Sequence, residues 1–310
     1  MLREKSSFYY SKVGEMKTRC PGEYCGRIEL GLNNYSDCGA CPRGYRSDFR
    51  SICVYCEGRP ELYDWLYLGF MTLLPLVLHW FCIDNVSPLV GNNKSVLVFH
   101  LCALIEVSIA AVLTVWLTDP FGEMDLRTCN THQLSDWYTL LHNPQPNYEE
   151  TIHCTQEAVY PLYTMVLIFY CLSIIIMLLV RPFLVRYLLP KVGKLPIYAA
   201  LYFFPILALL HAVFGGLIYF TFPYIVIILS VISNAAHFAY KLDQSMMFLV
   251  VSTVSDLRNI LILLGHWALH TYGLAALPVF HWSLIGLVPL PAIIYILTAR
   301  FTDPNKLHTE

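Results

Sequence analysis

The chain has 310 residues, a formal net charge of -2, 56% hydrophobic residues and 14% charged residues. A soluble domain carries roughly 25% charged residues, so this composition excludes an ordinary soluble globular protein and favours a polytopic membrane protein. The net charge itself says little, because the charges are segregated along the chain, and no nucleic-acid footprint is visible in the sequence.

Residues 1–61 form a polar head before the first apolar stretch. The head starts with MLREKSSFYYSKVGEMK, which lacks the apolar core and cleavage site of a signal peptide, so we expect the first transmembrane helix to act as the insertion signal. So short a segment buries too little apolar area to fold alone and needs covalent staples or a metal. Six of the eleven cysteines of the chain lie in this head: Cys20, Cys25, Cys38, Cys41, Cys53 and Cys56.

The head cysteines have two interpretations. Three disulfides of unassigned pairing would suit a lumenal head. Alternatively, the two CxxC pairs Cys38/Cys41 and Cys53/Cys56 would form a zinc site in a cytosolic head. Counting spans from the orientation derived below favours the lumenal, disulfide-bonded head. The sequon Asn34-Tyr35-Ser36 agrees and predicts glycosylation at Asn34.

The stretch 158–180 carries no charge and orients the rest of the chain. At about 1.5 Å rise per residue it is long enough to cross a hydrocarbon core of about 30 Å, and in such a core it must be helical. A connection at 181–194 follows with four basic and no acidic residues: Arg181, Arg186, Lys191 and Lys194. Lys and Arg in short loops stay cytosolic, so this loop is predicted to face the cytosol.

The predicted fold is an all-α polytopic membrane protein, a seven-helix transmembrane bundle (62–299) with a small Cys-rich N-terminal head. Between the spans we predict a lumenal loop at 118–157 and a cytosolic or interfacial segment at 234–256, with a cytosolic tail at 300–310. Two spans are assigned to 195–233 as a helical hairpin that turns at Gly215-Gly216. The predicted spans are 62–82, 95–117, 158–180, the two halves of 195–233, 257–274 and 278–298.

Two choices within this topology depend on particular residues. Starting the sixth span at Leu257 keeps Asp256 and Arg258 at the cytosolic rim, where they cost less than they would in mid-bilayer. In the lumenal loop, Cys129 and Cys154 are predicted to form a disulfide with each other, which would close a loop of about 26 residues and add about 3–4 kcal/mol of stability.

Glu106 is the one acid well inside a predicted span. Such a group should face the bundle interior and find a partner. It could relay protons or ions, but there is no second intramembrane carboxylate to support a relay. We therefore favour a structural carboxyl that is hydrogen-bonded to a neighbouring helix.

His266 and His270 lie four residues apart, which places both imidazoles on one helix face. This spacing can bind zinc, as in a metal-dependent intramembrane hydrolase, but a third ligand and an acid would have to come from elsewhere. Interfacial anchoring is the favoured interpretation. The sequence therefore predicts no catalytic residue, no metal and no cofactor.

The basic loop runs into an apolar-x-apolar pair, Leu195 and Ile197. With Lys191 and Lys194 before it, this is the general shape of a MAP-kinase docking motif, in which a basic cluster meets an acidic patch and two apolar side chains fill a groove. The pattern is short, and a simple positive-inside anchor explains it as well.

Longer phrases carry a specific resemblance. CGACPRG in the head and then PELYDWLYLGFMTLLPLVLHWF, SDWYTLLHNPQPNY, HCTQEAVYPLYT, YAALYFFPIL and TARFTDPNK closely resemble the Jun-kinase-associated membrane protein family of the endoplasmic reticulum. The likeness runs from residue 20 to the end of the chain and is weaker at 234–256.

The resemblance implies a seven-span protein in the lipid bilayer of the endoplasmic reticulum membrane, without catalytic activity. The span count and the basic loop, in turn, predict a lumenal N-terminus and a cytosolic C-terminus. The resemblance also implies an adaptor of reticulum-associated degradation, whose partners are proteasome subunits and ubiquitin ligases of the reticulum, and which binds Jun N-terminal kinase and prolongs its activity. It transfers no binding residue to this chain.

Overall fold

The computed structural model describes residues 19–31, 34–90, 93–142, 154–187 and 195–301. Contacts divide the chain into two compact units. The first unit contains Met1–Pro60 and Pro75–Gly216, and the second contains Glu61–Leu74 and Leu217–Glu310.

The head, in the first unit, consists of three antiparallel pairs of very short strands. Strand β1 (Cys25–Gly26) pairs with β4 (Gly39–Ala40), β2 (Glu29–Gly31) with β3 (Asn34–Tyr35), and β5 (Tyr45–Ser47) with β6 (Cys53–Tyr55). Isolated hairpins of this length are marginal in water, so covalent bonds must hold them. Two disulfides lie within the head, Cys20–Cys38 and Cys41–Cys53.

The other two disulfides join the head to the loop between the second and third helices. They are Cys25–Cys154 and Cys56–Cys129, so the predicted Cys129–Cys154 disulfide is wrong. The physical reason is that the loop folds onto the head instead of closing on itself. The Thr128 N–H donates to the Gly58 carbonyl at 2.9 Å, which brings the Cα atoms of Cys56 and Cys129 to 4.8 Å.

The chain then forms seven α-helices within the described ranges, α1 to α7. Four are long: α1 (Leu62–Val90), α2 (Asn93–Trp116), α3 (Leu162–Tyr187) and α4 (Leu195–Ala239). Three are shorter: α5 (Met246–Ser255), α6 (Leu257–Ala275) and α7 (Leu290–Thr298). Three short 3-10 helices lie at Leu134–Trp137, Trp282–Leu287 and Ala299–Phe301.

The predicted hairpin at 195–233 is instead one helix, α4, with 45 residues. Its glycine pair is not a turn but a place of close packing, as small residues often are in membrane helices. A Cβ atom at Gly216 would lie 2.6 Å from the Cβ of Trp137, and one at Gly215 would lie 3.3 Å from the Trp137 ring. The glycines therefore let the loop that carries Trp137 pack directly on the helix backbone.

The described residues contain fewer candidate spans than the seven predicted. Four helices in the described chain are long and apolar enough to cross a membrane, and a fifth span is possible if α5 and α6, which are bent by 96° at their break, count as one. The segment Trp282–Thr298 is shorter, so seven transmembrane spans are not confirmed. The start of α6 at Leu257 agrees with the prediction, because the Asp256 carboxylate accepts a hydrogen bond from the Arg258 N–H and caps the helix.

The disulfide pairing leads to a direct test. In a Cys154→Ser variant we expect the thiol of Cys25 to become free, because Cys25 loses its partner while Cys129 keeps Cys56. Maleimide labelling under denaturing, non-reducing conditions followed by peptide mapping would identify the new thiol. The matched variant Cys129→Ser should free Cys56. Labelling of Cys129 in the Cys154→Ser variant would contradict the structure and restore the pairing within the loop.

Candidate functional site

The most unusual group inside the apolar helices of the first unit is a buried ion pair. Glu106 of α2 and Arg181 of α3 are 2% and 0% exposed. The Arg181 Nε donates to both carboxylate oxygens at 3.1 and 3.0 Å, and Nη2 donates to Oε2 at 2.8 Å. The guanidinium therefore neutralises the carboxylate by bidentate pairing, the geometry in which arginine binds carboxylates most strongly.

Helix α1 contributes a third member, His79, which is 2% exposed. Its Nδ1 lies 3.1 Å from Arg181 Nη2. Because a guanidinium can only donate hydrogen bonds, Nδ1 must accept and the ring proton must reside on Nε2. The imidazole also packs against Phe203 and Phe204 of α4, with ring centroids 4.9 and 5.5 Å away. The ion pair and His79 together join α1, α2 and α3, and His79 also contacts α4.

This arrangement changes the predicted role of Arg181. The sequence assigned it to the basic loop, but α3 continues to Tyr187, and Arg181 lies on its buried face. The prediction that Glu106 bonds to a neighbouring helix is consistent with these contacts. The sequence did contain a signal for this pairing. A lone acid in mid-span requires a cationic partner, and Arg181 is the first basic residue after the uncharged stretch 158–180. An arginine does not release its proton, so this pair is suited to holding helices together rather than to proton transfer.

Where the loop between α2 and α3 contacts the head, Asp136 is the centre of a buried hydrogen-bond network that sequence reasoning missed. Its Oδ1 accepts from the Tyr24 hydroxyl at 3.0 Å and from Arg46 at 2.9 Å, and its Oδ2 accepts from the His132 N–H at 2.8 Å. Burial raises the pKa of Tyr24 to about 12, so this phenol remains a donor at neutral pH. The network fixes the 3-10 helix Leu134–Trp137 against the head and thereby positions Trp137 beside α4.

The head also exposes two features to solvent. A polar cavity of about 660 Å³ lies between the strands and the loop, and its walls include Arg19, Glu23, Asp48 and His142. Asn34, the predicted glycosylation site, is exposed on β3. Its sequon serine, Ser36, accepts a hydrogen bond from the Ile28 N–H at 2.9 Å.

The predicted metal alternatives do not assemble into sites. Cys38, Cys41, Cys53 and Cys56 are all in disulfides, so none can offer a thiolate to zinc. Within the described ranges, no group of three or more His, Cys, Asp or Glu side chains could hold a metal ion.

His266 and His270 are fixed by serines of α4 in the second unit. His270 Nδ1 lies 2.7 Å from Ser230 Oγ, and His266 Nδ1 lies 3.1 Å from Ser233 Oγ. Both hydroxyls donate to backbone carbonyls of their own helix, Ile227 and Ser230 respectively. The serine protons are therefore directed away from the imidazoles. This arrangement links two helices and does not resemble an activated nucleophile.

The structure describes the predicted kinase-docking segment only in part. Lys191 and Lys194 lie outside the described residues. Leu195 and Ile197 lie in the first turns of α4, so the apolar half of the motif has a helical backbone. An extended docking peptide would require this turn to unwind.

The buried ion pair predicts non-additive effects on stability. Arg181→Met and Glu106→Leu should each lower the free energy of unfolding by about 3–5 kcal/mol, because each leaves an uncompensated buried charge. The double variant should be markedly more stable than either single variant, although His79 still loses its donor. Thermal unfolding in detergent, followed by size-exclusion chromatography, would measure these effects. Arg186→Met, exposed on the same helix, is the control and should have little effect. Additive losses in the double variant would contradict the pairing.

Comparison with known proteins gives matches over nearly the whole chain. Residues 20–304 match the family described as JNK1/MAPK8-associated membrane protein. Curated relatives of that name from Homo sapiens and Mus musculus are 44% and 43% identical over 310 residues, covering 96% of this chain and 97% of each relative. A Caenorhabditis elegans homologue is 34% identical and covers 91% of this chain and 93% of its own length. No solved structure matches. The chain therefore belongs to the JNK1/MAPK8-associated membrane protein family.

Proposed function

We propose that this chain is a non-enzymatic adaptor of the endoplasmic reticulum membrane that binds Jun N-terminal kinase and recruits proteasome subunits and ubiquitin ligases for degradation of misfolded proteins. The observation that carries the kinase part is the 44% identity, over nearly the full length of both chains, to a relative whose name describes association with JNK1/MAPK8. The degradation part rests on the family resemblance of the sequence alone.

The geometry of the molecule supports a binding protein rather than an enzyme. Arg181 is paired with Glu106 inside the apolar helices, and the two α6 imidazoles are bonded to serines whose protons point to the backbone. The alternative of a hydrolase that uses His266 and His270 would need an acid and a third ligand beside them. In the described part of the chain, no group of three or more His, Cys, Asp or Glu side chains could hold a metal ion.

For the orientation, we propose a lumenal head and a cytosolic 188–194 connection. Four disulfides in the head and its loop support this, because disulfides form and persist in oxidising compartments. A cytosolic tail follows if the bent pair α5 and α6 counts as a fifth span, since an odd number of spans places the two ends of the chain on opposite sides.

Glycosylation tests the orientation and the compartment together. Asn34→Gln should abolish a glycosidase-sensitive mass shift, because Asn34 is exposed on the proposed lumenal head. The shift in the unaltered protein should be sensitive to endoglycosidase H at steady state if the protein resides in the reticulum. The controls are Asn85→Gln and Asn93→Gln, which alter two further sequons, one near the C-terminal end of α1 and one at the first residue of α2. Both lie on the proposed cytosolic side, so these substitutions should leave the shift intact. A shift lost with Asn93→Gln, or absent altogether, would contradict this orientation.

Kinase and proteasome recruitment are tested by affinity purification after mild crosslinking. We expect Jun N-terminal kinase and proteasome subunits to co-purify with the full chain. Reversing the two basic charges, Lys191→Glu with Lys194→Glu, should reduce kinase recovery several-fold, because the docking motif needs a basic cluster. Lys306→Glu in the tail is the matched control. Unchanged kinase recovery in the double variant would remove this segment as the docking site, and absence of proteasome subunits would count against the degradation role.

A further inference from the structure

A polar stripe runs along α4 in the second unit, opposite α6. It contains Ser230, Ser233, Asn234 and His237, which follow the i, i+3, i+4, i+7 spacing of one helix face. Ser230 and Ser233 contact His270 and His266 on α6 at 2.7 and 3.1 Å. The two helices therefore meet along a seam of histidines, serines and an asparagine.

Three polar atoms of this seam are buried without any hydrogen-bond partner. They are Asn234 Oδ1, His237 Nε2 and His266 Nε2. Asn234 is only 2% exposed, so solvent does not serve as its partner. Buried polar groups are nearly always satisfied, and a group of unsatisfied atoms in one place indicates a bound water, ion or ligand.

The serine contacts define which nitrogen of His266 is available. When Ser233 donates its proton to the Ser230 carbonyl at 3.2 Å, its oxygen accepts from His266 Nδ1–H at 3.1 Å. In that tautomer the Nε2 atom of His266 carries a lone pair and no proton. This is the arrangement of a metal-binding histidine, whose second nitrogen donates to an orienting group.

The spacing of the two histidines fits a shared ion. The ring centroids of His237 and His266 lie 6.0 Å apart. A metal ion bound by two imidazole nitrogens at about 2.0–2.1 Å holds the ring centres about 5–6.5 Å apart. Two imidazoles with an amide oxygen suit borderline transition ions such as Zn²⁺ or Ni²⁺, whereas Mg²⁺ and Ca²⁺ prefer oxygen ligands alone.

We propose that His237 and His266, with Asn234 as a third ligand, form a Zn²⁺-type transition-metal site that clamps α4 to α6, with water completing the coordination. His270 is left out of this site, because its Nε2 is not one of the buried atoms without a hydrogen-bond partner. The ammonium of Lys241 lies beyond the end of α4 and is held by the hydroxyls of Ser252 and Thr253 at 2.8 and 3.4 Å.

The test uses the full chain, purified in detergent with a tag that contains no histidine and stripped with a chelator. Zn²⁺ and Co²⁺ are then titrated into the protein, with calorimetry, the visible absorption of bound Co²⁺ and the Tm as readouts. We expect one ion per chain and a rise in Tm. His237→Ala and His266→Ala should abolish both effects. Ser233→Ala should weaken binding about 10–100-fold, because it removes only the group that orients His266.

Two variants serve as controls that should keep full binding. His270→Ala removes the neighbouring imidazole, and His281→Ala removes an exposed one. If His237→Ala does not fold, His237→Gln keeps a polar group at the seam and should still lose the ion. Absence of binding in the unaltered protein, binding that persists in both His237 variants, or binding that disappears in His270→Ala would each overturn the proposal.

Discussion

The pairing of Glu106 with Arg181 is the interaction on which the helices of the first unit depend. A hydrocarbon core offers no water to either charge, so each residue can be accommodated there only because the other is present. The pair joins α2 to α3, and through His79 it includes α1 at 3.1 Å. Because the guanidinium forms directional bonds, it restricts how these helices can slide or rotate. A purely apolar interface would allow several alternative packings, which makes the ion pair a device for specificity as well as cohesion.

The head depends on a different constraint, since it has too little apolar area to fold by burial. Its strands have two or three residues each, and four disulfides hold them and the following loop together. Asp136 bonds to Arg46 of the head and thereby fixes the position of its neighbour Trp137. Trp137 packs on the backbone of α4 where Gly216 has no side chain. The result is a continuous series of contacts from Arg46 in the head to a membrane helix within one unit. A partner that displaced the loop would therefore alter the packing of α4.

In the second unit, hydrogen bonds between α4 and α6 replace the ion pair as the polar element of the helix interface. His270 and His266 of α6 each bond to a serine of α4, Ser230 and Ser233 respectively, and these serines lie about one helical turn apart. Together with the apolar cluster around Phe238 and Leu249, these bonds hold the bent pair α5 and α6 in place. The adaptor role we propose would place partner binding on the connections between the helices and on the tail.

The sequence alone determines much of this protein, because every backbone N–H and C=O group inside a membrane must be hydrogen-bonded within the chain. An uncharged stretch such as 158–180 must be a helix, and long phrases such as SDWYTLLHNPQPNY identify the family without any coordinates. The start of α6 at Leu257 was also predictable, since Asp256 is a natural cap.

Tertiary structure alone decided which cysteines pair, because spacing along the chain does not say that the loop folds onto the head. It also decided that Gly215-Gly216 lies inside a helix, since a glycine pair permits a turn and a close contact equally well, and only Trp137 distinguishes them. The partner of Glu106 likewise depended on the packing of α2 against α3, a contact between residues 75 positions apart.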